Sequence, residues 1–428
     1  MQKKYLVVCL AAVLPFSFAA TALAQSATPA QQSAEDPYQL SGTSISGASR
    51  ATEVILTAPV AQNAAPYKTE SGIYLYPTAF VGAGYNDNLQ ITNTNKIGSS
   101  FFNIAPQLVA ELKHKGDRYT ALASVNATRY SNSVDDNYTN SEFNIAGDNY
   151  FTSRARAGWS IGEVNGIDPR GSTERPLSEQ PDRWHTTNLN GRLIYGAPEA
   201  SGRVEMDLGN VVKTYDNNRT TTEIADLTLN SVAGRVFYRL GSRTLALVEV
   251  RDAKANYASS LATDSNTERR YYAGLTWEAT AATTGIVKVG RMTKDFDLAD
   301  RPGYSGSSWE AAVHWLPLTY SAFDLKTARS TADSTGFGNF ALNTSTDLIW
   351  SHKWTQSLSS RVAVGVLNTE FSGTNRSDTT NNYALTVDYA VLRWLKVGVD
   401  FARTDRTSND ANYTYQRNVS MLTLNASL

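Results

Sequence analysis

Residues Phe102–Lys113 read FNIAPQLVAELK, and their alternation decides the fold. One set of positions is Phe102, Ile104, Pro106, Leu108, Ala110 and Leu112; the other is Asn103, Ala105, Gln107, Val109, Glu111 and Lys113. Successive side chains of a strand point to opposite faces, so a period of two describes a strand with one apolar and one wetter face. The split recurs in Tyr383, Leu385, Val387 and Tyr389 against Asn382, Ala384, Thr386 and Asp388. It recurs again in Leu395, Val397, Val399 and Phe401 against Lys396, Gly398, Asp400 and Ala402.

Working outward, such runs fall near 73–85, 101–115, 118–130, 141–151, 155–164, 186–195, 202–215, 226–240 and 244–257. A second set lies near 268–279, 285–296, 307–316, 321–329, 345–354, 359–371, 382–390, 394–404 and 414–428. The total is eighteen, although 226–240, 244–257 and 285–296 change phase or carry polar residues on both faces. Short links, such as Gly116-Asp117, Gly241-Ser242 and Val391-Arg393, alternate throughout with long polar ones, such as 86–100, 165–185 and 330–344. Membrane barrels have short periplasmic turns and long external loops, and an even strand number returns both ends to one side. A soluble solenoid, propeller or sandwich has no reason for that rhythm. The expected fold is all-β: an antiparallel transmembrane β-barrel of about eighteen strands over 72–428. The last run places Leu422, Leu424, Ala426 and Leu428 on one face, an amphipathic end suited to the barrel-assembly machinery, although its final residue is not aromatic.

The amino terminus supplies the address. Lys3 and Lys4 precede an apolar run from Tyr5 to Ala20, and Ala22-Leu23-Ala24 ends it before Gln25. This is the pattern of a cleaved secretory signal over 1–24. The one cysteine, Cys9, lies inside the run and not at the cleavage point, which argues against a lipoprotein. Cleavage leaves a chain without thiols, which excludes thiol catalysis, disulfides and cysteine metal sites. Residues 25–71, rich in Ala, Ser, Gln and Thr, read as a flexible periplasmic segment, with Val54-Ile55-Leu56 as a candidate docking patch.

Composition agrees with export to the outer membrane. Hydrophobic residues make up 41% and charged residues 18%, too polar for spanning helices. The 22 Tyr and 8 Trp are rings that favour membrane–water interfaces. Trp159, Trp277, Trp309, Trp315, Trp350 and Trp354 fall on apolar faces as a candidate girdle. A net charge of -1 gives no sign of a nucleic-acid partner.

Eighteen strands imply a lumen, since barrels of roughly sixteen to eighteen strands hold an aqueous channel whereas about eight are filled by side chains. Candidate lumen-lining residues in the first half of the chain are Glu111, Lys113, Arg192, Arg203, Glu205 and Asp207. In the second half they are Glu278, Glu310, Asp324, Lys326, Asp347, Asp388, Lys396 and Asp400. Both signs are present, which suits a hydrated, weakly charged passenger better than strong selection of one ion sign; cross-lumen pairing is the alternative reading of each. Tyr74, Tyr76 and Phe80 lie opposite Leu75, Pro77, Ala79 and Val81, and are candidates for stacking on sugar rings.

Asn86-Asp87-Asn88, Asp135-Asp136-Asn137 and Asp295-Asp297-Asp300 offer oxygen ligands, but none has the spacing of a calcium loop. His114, His185, His314 and His352 are scattered outside any nucleophile or metal motif. No catalytic residue, metal site or cofactor is expected.

Two stretches carry a family resemblance. Tyr76-Pro77-Thr78-Ala79-Phe80-Val81-Gly82-Ala83-Gly84-Tyr85-Asn86-Asp87-Asn88-Leu89 resembles the entry of the putative β-barrel porin type 2 family. Ser307-Ser308-Trp309-Glu310-Ala311-Ala312-Val313-His314-Trp315-Leu316-Pro317, followed by Tyr320–Arg329, is similar to outer-membrane barrels encoded with exopolysaccharide synthesis operons, of the EpsL type. The resemblance spans about residues 70–428 and implies a part in polysaccharide export, with exopolysaccharide and periplasmic export components as partners beside outer-membrane lipid and lipopolysaccharide. A general small-solute diffusion porin and a non-conducting structural or adhesion barrel are the alternatives.

Overall fold

The computed structural model describes Leu56, Ala58 and residues 66–427 apart from 281 and 335. The signal expected over 1–24, together with Val54 and Ile55, lies outside the described residues. A two-residue strand, β1 (Tyr67–Lys68), pairs with the start of β2 (Tyr74–Asn86). The wall continues through β3 (Ser99–His114), β4 (Asp117–Tyr130), β5 (Tyr138–Tyr150), β6 (Ala155–Asp168), β7 (Asp182–Tyr195) and β8 (Gly202–Tyr215). Next come β9 (Leu227–Gly241), β10 (Thr244–Tyr257), β11 (Asn266–Thr280), β12 (Thr283–Phe296), β13 (Tyr304–Leu318) and β14 (Ser321–Asp333). The last five are β15 (Phe340–Lys353), β16 (Leu358–Phe371), β17 (Ser377–Leu392), β18 (Leu395–Ser408) and β19 (Tyr415–Ser427).

Each of these strands pairs antiparallel with its neighbour in sequence, and β19 returns to β2 from Val419–Asn86 to Ser427–Thr78. The eighteen strands β2–β19 therefore form a closed antiparallel barrel, as the alternation predicts. Closure leaves no free edge strand in the wall, a requirement for backbone at membrane depth. The short turns sit at the end where Tyr74 enters. In the first of them Lys115 and Gly116 both have positive φ, 50° and 97°. This is the two-residue geometry whose twist matches paired strands, and glycine enters it without steric penalty.

The alternation becomes an inside and an outside. Phe102, Ile104, Leu108 and Leu112 are exposed on the outer face of β3, while Asn103, Gln107, Val109 and Glu111 are buried on the inner. Near the short-turn end, Trp315, Phe323 and Trp350 stack across three neighbouring strands, and Trp354, His352 and Tyr320 extend the group. This is one arc of an interfacial girdle. Trp159 lies over Gly147, where an added Cβ would come within 2.6 Å of its indole nitrogen, so glycine leaves the seat for the ring.

One seam is incomplete. β13 and β14 pair from Trp309–Arg329 down to the turn, yet β13 continues to Tyr304 and β14 to Asp333. Beyond Arg329 the outer end of β14 parts from β13 and bends inward, still paired with β15, which itself stays paired with β16 as far as Ala341–Phe371. This bend shapes the mouth.

Candidate functional site: the lumen and its two mouths

The inner face of β7–β13 is a lattice of buried ion pairs, and strand register builds it. Register sets Arg192 opposite Asp207, Glu205 opposite Arg235, Arg235 opposite Glu249 and Lys288 opposite Glu310. Arg192 grips Asp207 with two bonds of 2.7 and 3.0 Å. Arg235 bridges Asp207 at 2.8 Å and Glu249 at 2.7 Å. Arg251 donates to both oxygens of Glu310, at 2.7 and 3.0 Å, and Lys288 reaches the same carboxylate at 2.5 Å. Arg203 sits 3.0 Å from Glu205. All these side chains are buried. A charge withdrawn from water needs such partners, because the desolvation penalty otherwise outweighs any gain.

Two elements cross the mouth on the long-loop side. The segment 169–181, between β6 and β7, is anchored at its base by Arg175, which holds Asp168 at 3.0 Å and Asp182 at 2.8 Å. On the near side, Arg170 donates to Asp136 at 2.7 Å, and the aspartate raises the guanidinium pKa above its ordinary value. At its far point Glu174 accepts from Arg376 at 2.5 and 3.2 Å and from Arg406 at 3.3 Å. These arginines flank the β17–β18 wall, almost opposite β6 and β7 in the ring. Arg376 also binds Asp378 at 2.6 Å, and its guanidinium lies 3.3 Å from the centre of the Tyr413 ring.

The second crossing element is the inward-bent end of the β14–β15 hairpin. Asp333 accepts from Tyr257 at 2.7 Å, from Asn266 at 3.1 Å and from Lys294 at 2.5 Å, reaching β10, β11 and β12 from β14. Phe340 and Leu342 pack on Met292, with Phe296 and Tyr304 around them. The two elements meet at Gly336, where an added Cβ would stand 3.3 Å from the Glu174 carbonyl oxygen.

The short-turn mouth holds part of the leader. The Leu56 amide donates to Asp148 at 3.1 Å, and the Ala58 amide donates to Thr120 at 2.8 Å. Arg118 donates to the Ala58 carbonyl at 2.7 Å while its Nε binds Glu111 at 2.6 Å. Leu56, read as part of a docking patch within a flexible segment, is thus held against the inner wall of β5.

The geometry describes a closed barrel with a polar, charge-lined interior and folded segments at both ends. The family model described as Putative beta-barrel porin 2 matches residues 71–428. The chain belongs to that family. It is a porin-like channel of the outer membrane. No curated protein matches the porin significantly. Among solved structures it is similar to OccK2 (OpdF) of Pseudomonas aeruginosa, at 10% identity and TM-score 0.49, covering 85% of this chain and 100% of that one. It is similar to OpdK of the same organism, at 11% identity and TM-score 0.46, covering 83% and 98%. The FrpB iron transporter of Neisseria meningitidis matches at 10% identity and TM-score 0.46, covering 81% of this chain and 66% of that one, so the porin spans about two thirds of the transporter's length.

The lumen-lining candidates fall into three groups on the porin's inner wall. Arg192, Arg203, Glu205, Asp207 and Glu310 belong to the lattice, and Glu111 is spent on Arg118 and the Tyr76 hydroxyl. Asp388 and Asp400 are buried on the opposite wall, where Thr386 donates to Asp400 at 2.6 Å. Asp324, Asp347 and Lys396 are half-buried, and Lys113, Glu278 and Lys326 are exposed. Asp324 lies 2.6 Å from His314 Nδ1. Sequence reasoning missed Arg235, Glu249, Arg251, Arg270, Lys288 and Lys294. Their signal was present in Glu249-x-Arg251 and Glu268-x-Arg270, opposite charges two apart on one strand face.

The stacking candidates are inward but occupied. Phe80 is packed by Phe101, Ala402, Val419 and Met421. Tyr76 packs with Val109 and Leu122, with Ala58 and Tyr74 against them, and donates to Glu111 at 2.9 Å. Neither buried ring turns an open face to the bore. Of the acidic loop clusters, Asp87 accepts twice from Asn418 at 2.7 Å and Asp136 holds Arg170. Among the described residues no group of three or more His, Cys, Asp or Glu converges as a metal site.

Proposed function

We propose that this porin is a loop-constricted diffusion channel for small hydrated solutes. The observation that carries the reading is the clamp of Glu174 by Arg376 and Arg406, which draws segment 169–181 across the bore. A folded segment across a wide barrel sets a size limit, and a wall whose buried charges are paired with one another gives no strong preference for solutes of either sign. Polymer export, which the family resemblance favours, needs the clamp to open for each chain and the hairpin end carrying Asp333 to withdraw with it.

The test combines reconstitution with deletion. Proteoliposomes holding the porin are expected to swell with monosaccharides and to respond weakly to trisaccharides and larger sugars. A deletion strain is expected to secrete its polysaccharide normally. Polymer accumulating in the periplasm of that strain would overturn the diffusion reading in favour of export.

A further inference from the structure

Arg417, on the inner face of β19, is buried to 3% exposure. Every other deeply buried arginine described above has a carboxylate partner. Among the described residues Arg417 has no ion pair, and its Nη2 has no hydrogen-bond partner. Of the nearby carboxylates, Asp87 acts on Arg417 only through space while accepting from Asn418, and Asp136 is held by Arg170.

The guanidinium lines a cavity of about 30 Å³ beneath the crossing segment. Tyr130, Tyr138 and Asn140 form its walls with Asp136, and Pro169 and Pro181, the two ends of the segment, roof it. The Asn140 Oδ1 is buried there without a partner. Its amide can turn to present Nδ2 to the cavity, since the two amide atoms exchange places at no steric cost. The lattice arginines are each neutralised by a carboxylate, and Arg156, buried without one, bonds the Gly196 carbonyl; a buried guanidinium that instead borders a cavity is a place where a counter-charge can be taken up.

We propose that this cavity binds a small monovalent anion, a halide or a formate-sized carboxylate, with Arg417 as its counter-charge and Asn140 as a second donor. The space is that of about two water molecules, which admits a halide and excludes sulfate and phosphate. The bound anion joins β19 to both ends of the segment that constricts the mouth. The site is independent of which solute crosses the channel.

Bromide soaked into crystals of the full chain, located by its anomalous scattering, tests the site. One bromide is expected within hydrogen-bond distance of Arg417. It should be lost in Arg417→Met and also in Asn140→Asp, which supplies a carboxylate of its own. Because Arg417→Met is a severe change, Asn140→Asp carries the test in solution as well. Wild-type protein in detergent should gain thermal stability as chloride replaces gluconate at constant ionic strength, whereas Asn140→Asp should start higher and not respond. A wild-type cavity holding water alone, or a bromide that persists in Asn140→Asp, would overturn the proposal.

Discussion

Arg376 and Glu174 stand 202 residues apart in the chain and share two hydrogen bonds, of 2.5 and 3.2 Å. The pair closes a chord across the barrel mouth, with Arg406 behind it. Glu174→Gln removes the charge that both arginines converge on, and losing charge-assisted bonds of this kind costs about 1.5–3 kcal/mol. The wall does not depend on the chord. The variant is expected to insert normally, to show a larger single-channel conductance in planar bilayers, and to admit larger sugars in swelling assays. Unchanged conductance would show that the segment does not limit flow.

Glu310 is the hub of the lattice, shared by Arg251 and Lys288. Glu310→Ala leaves two buried cations short of a partner, and breaking a buried pair in this way costs about 3–5 kcal/mol. Urea unfolding of the porin in lipid vesicles should report a loss of that size. A loss below about 1 kcal/mol, the range of exposed pairs, would mean that water reaches the lattice freely.

The docking of the leader predicts a cross-link. Ala58→Cys combined with Thr120→Cys puts thiols on two residues that now meet through the Ala58 backbone amide and the Thr120 hydroxyl at 2.8 Å. Oxidation should form an intrachain disulfide visible as a shift in gel mobility. Arg118→Ala, which removes the bond to the Ala58 carbonyl, should reduce its yield.

A titration reads the turn at the start of β4. The Tyr150 amide donates to Asp117 at 2.8 Å and, as the largest cause, holds its carboxyl below the usual value of 3.8. A depressed pKa means that this support is fully present above the ordinary value and lost as pH falls through the lower one. The carboxyl carbon of Asp117 should therefore titrate below 3.8 by NMR. Asn149→Ala, which removes a weaker donor, should move the midpoint up by less than disruption of the Tyr150 bond.

The barrel was legible because its signal is local. Alternation and turn length are written within each hairpin, and the inner ends of most strands lie within a residue or two of their expected positions. The outer ends run further than expected: β7 begins at Asp182 against 186, β15 at Phe340 against 345, and β17 at Ser377 against 382. These ends stand above the membrane, where neither face needs apolar residues, so the period fades while the ladder continues. The lattice was half hidden for the converse reason. In β9 and β10 the inner face carries Leu229, Ala233, Phe237, Leu247 and Ala253 beside its charges, which blurs the contrast between faces. The crossing segment was not legible at all, because Glu174 finds its partners only after the ring has closed.

That closure also sets an order of events. The β2–β19 ladder joins Asn86 to Val419, and the rungs on either side of every other strand join near neighbours in the chain. The largest chain entropy is therefore surrendered at one ladder, between the first wall strand made and the last. Until then Arg376 and Arg406 are not opposite Glu174, and β19 has not brought Arg417 beneath Pro169. The constriction and the anion cavity are consequently late products of assembly: a partly inserted porin has a wall before it has a gate.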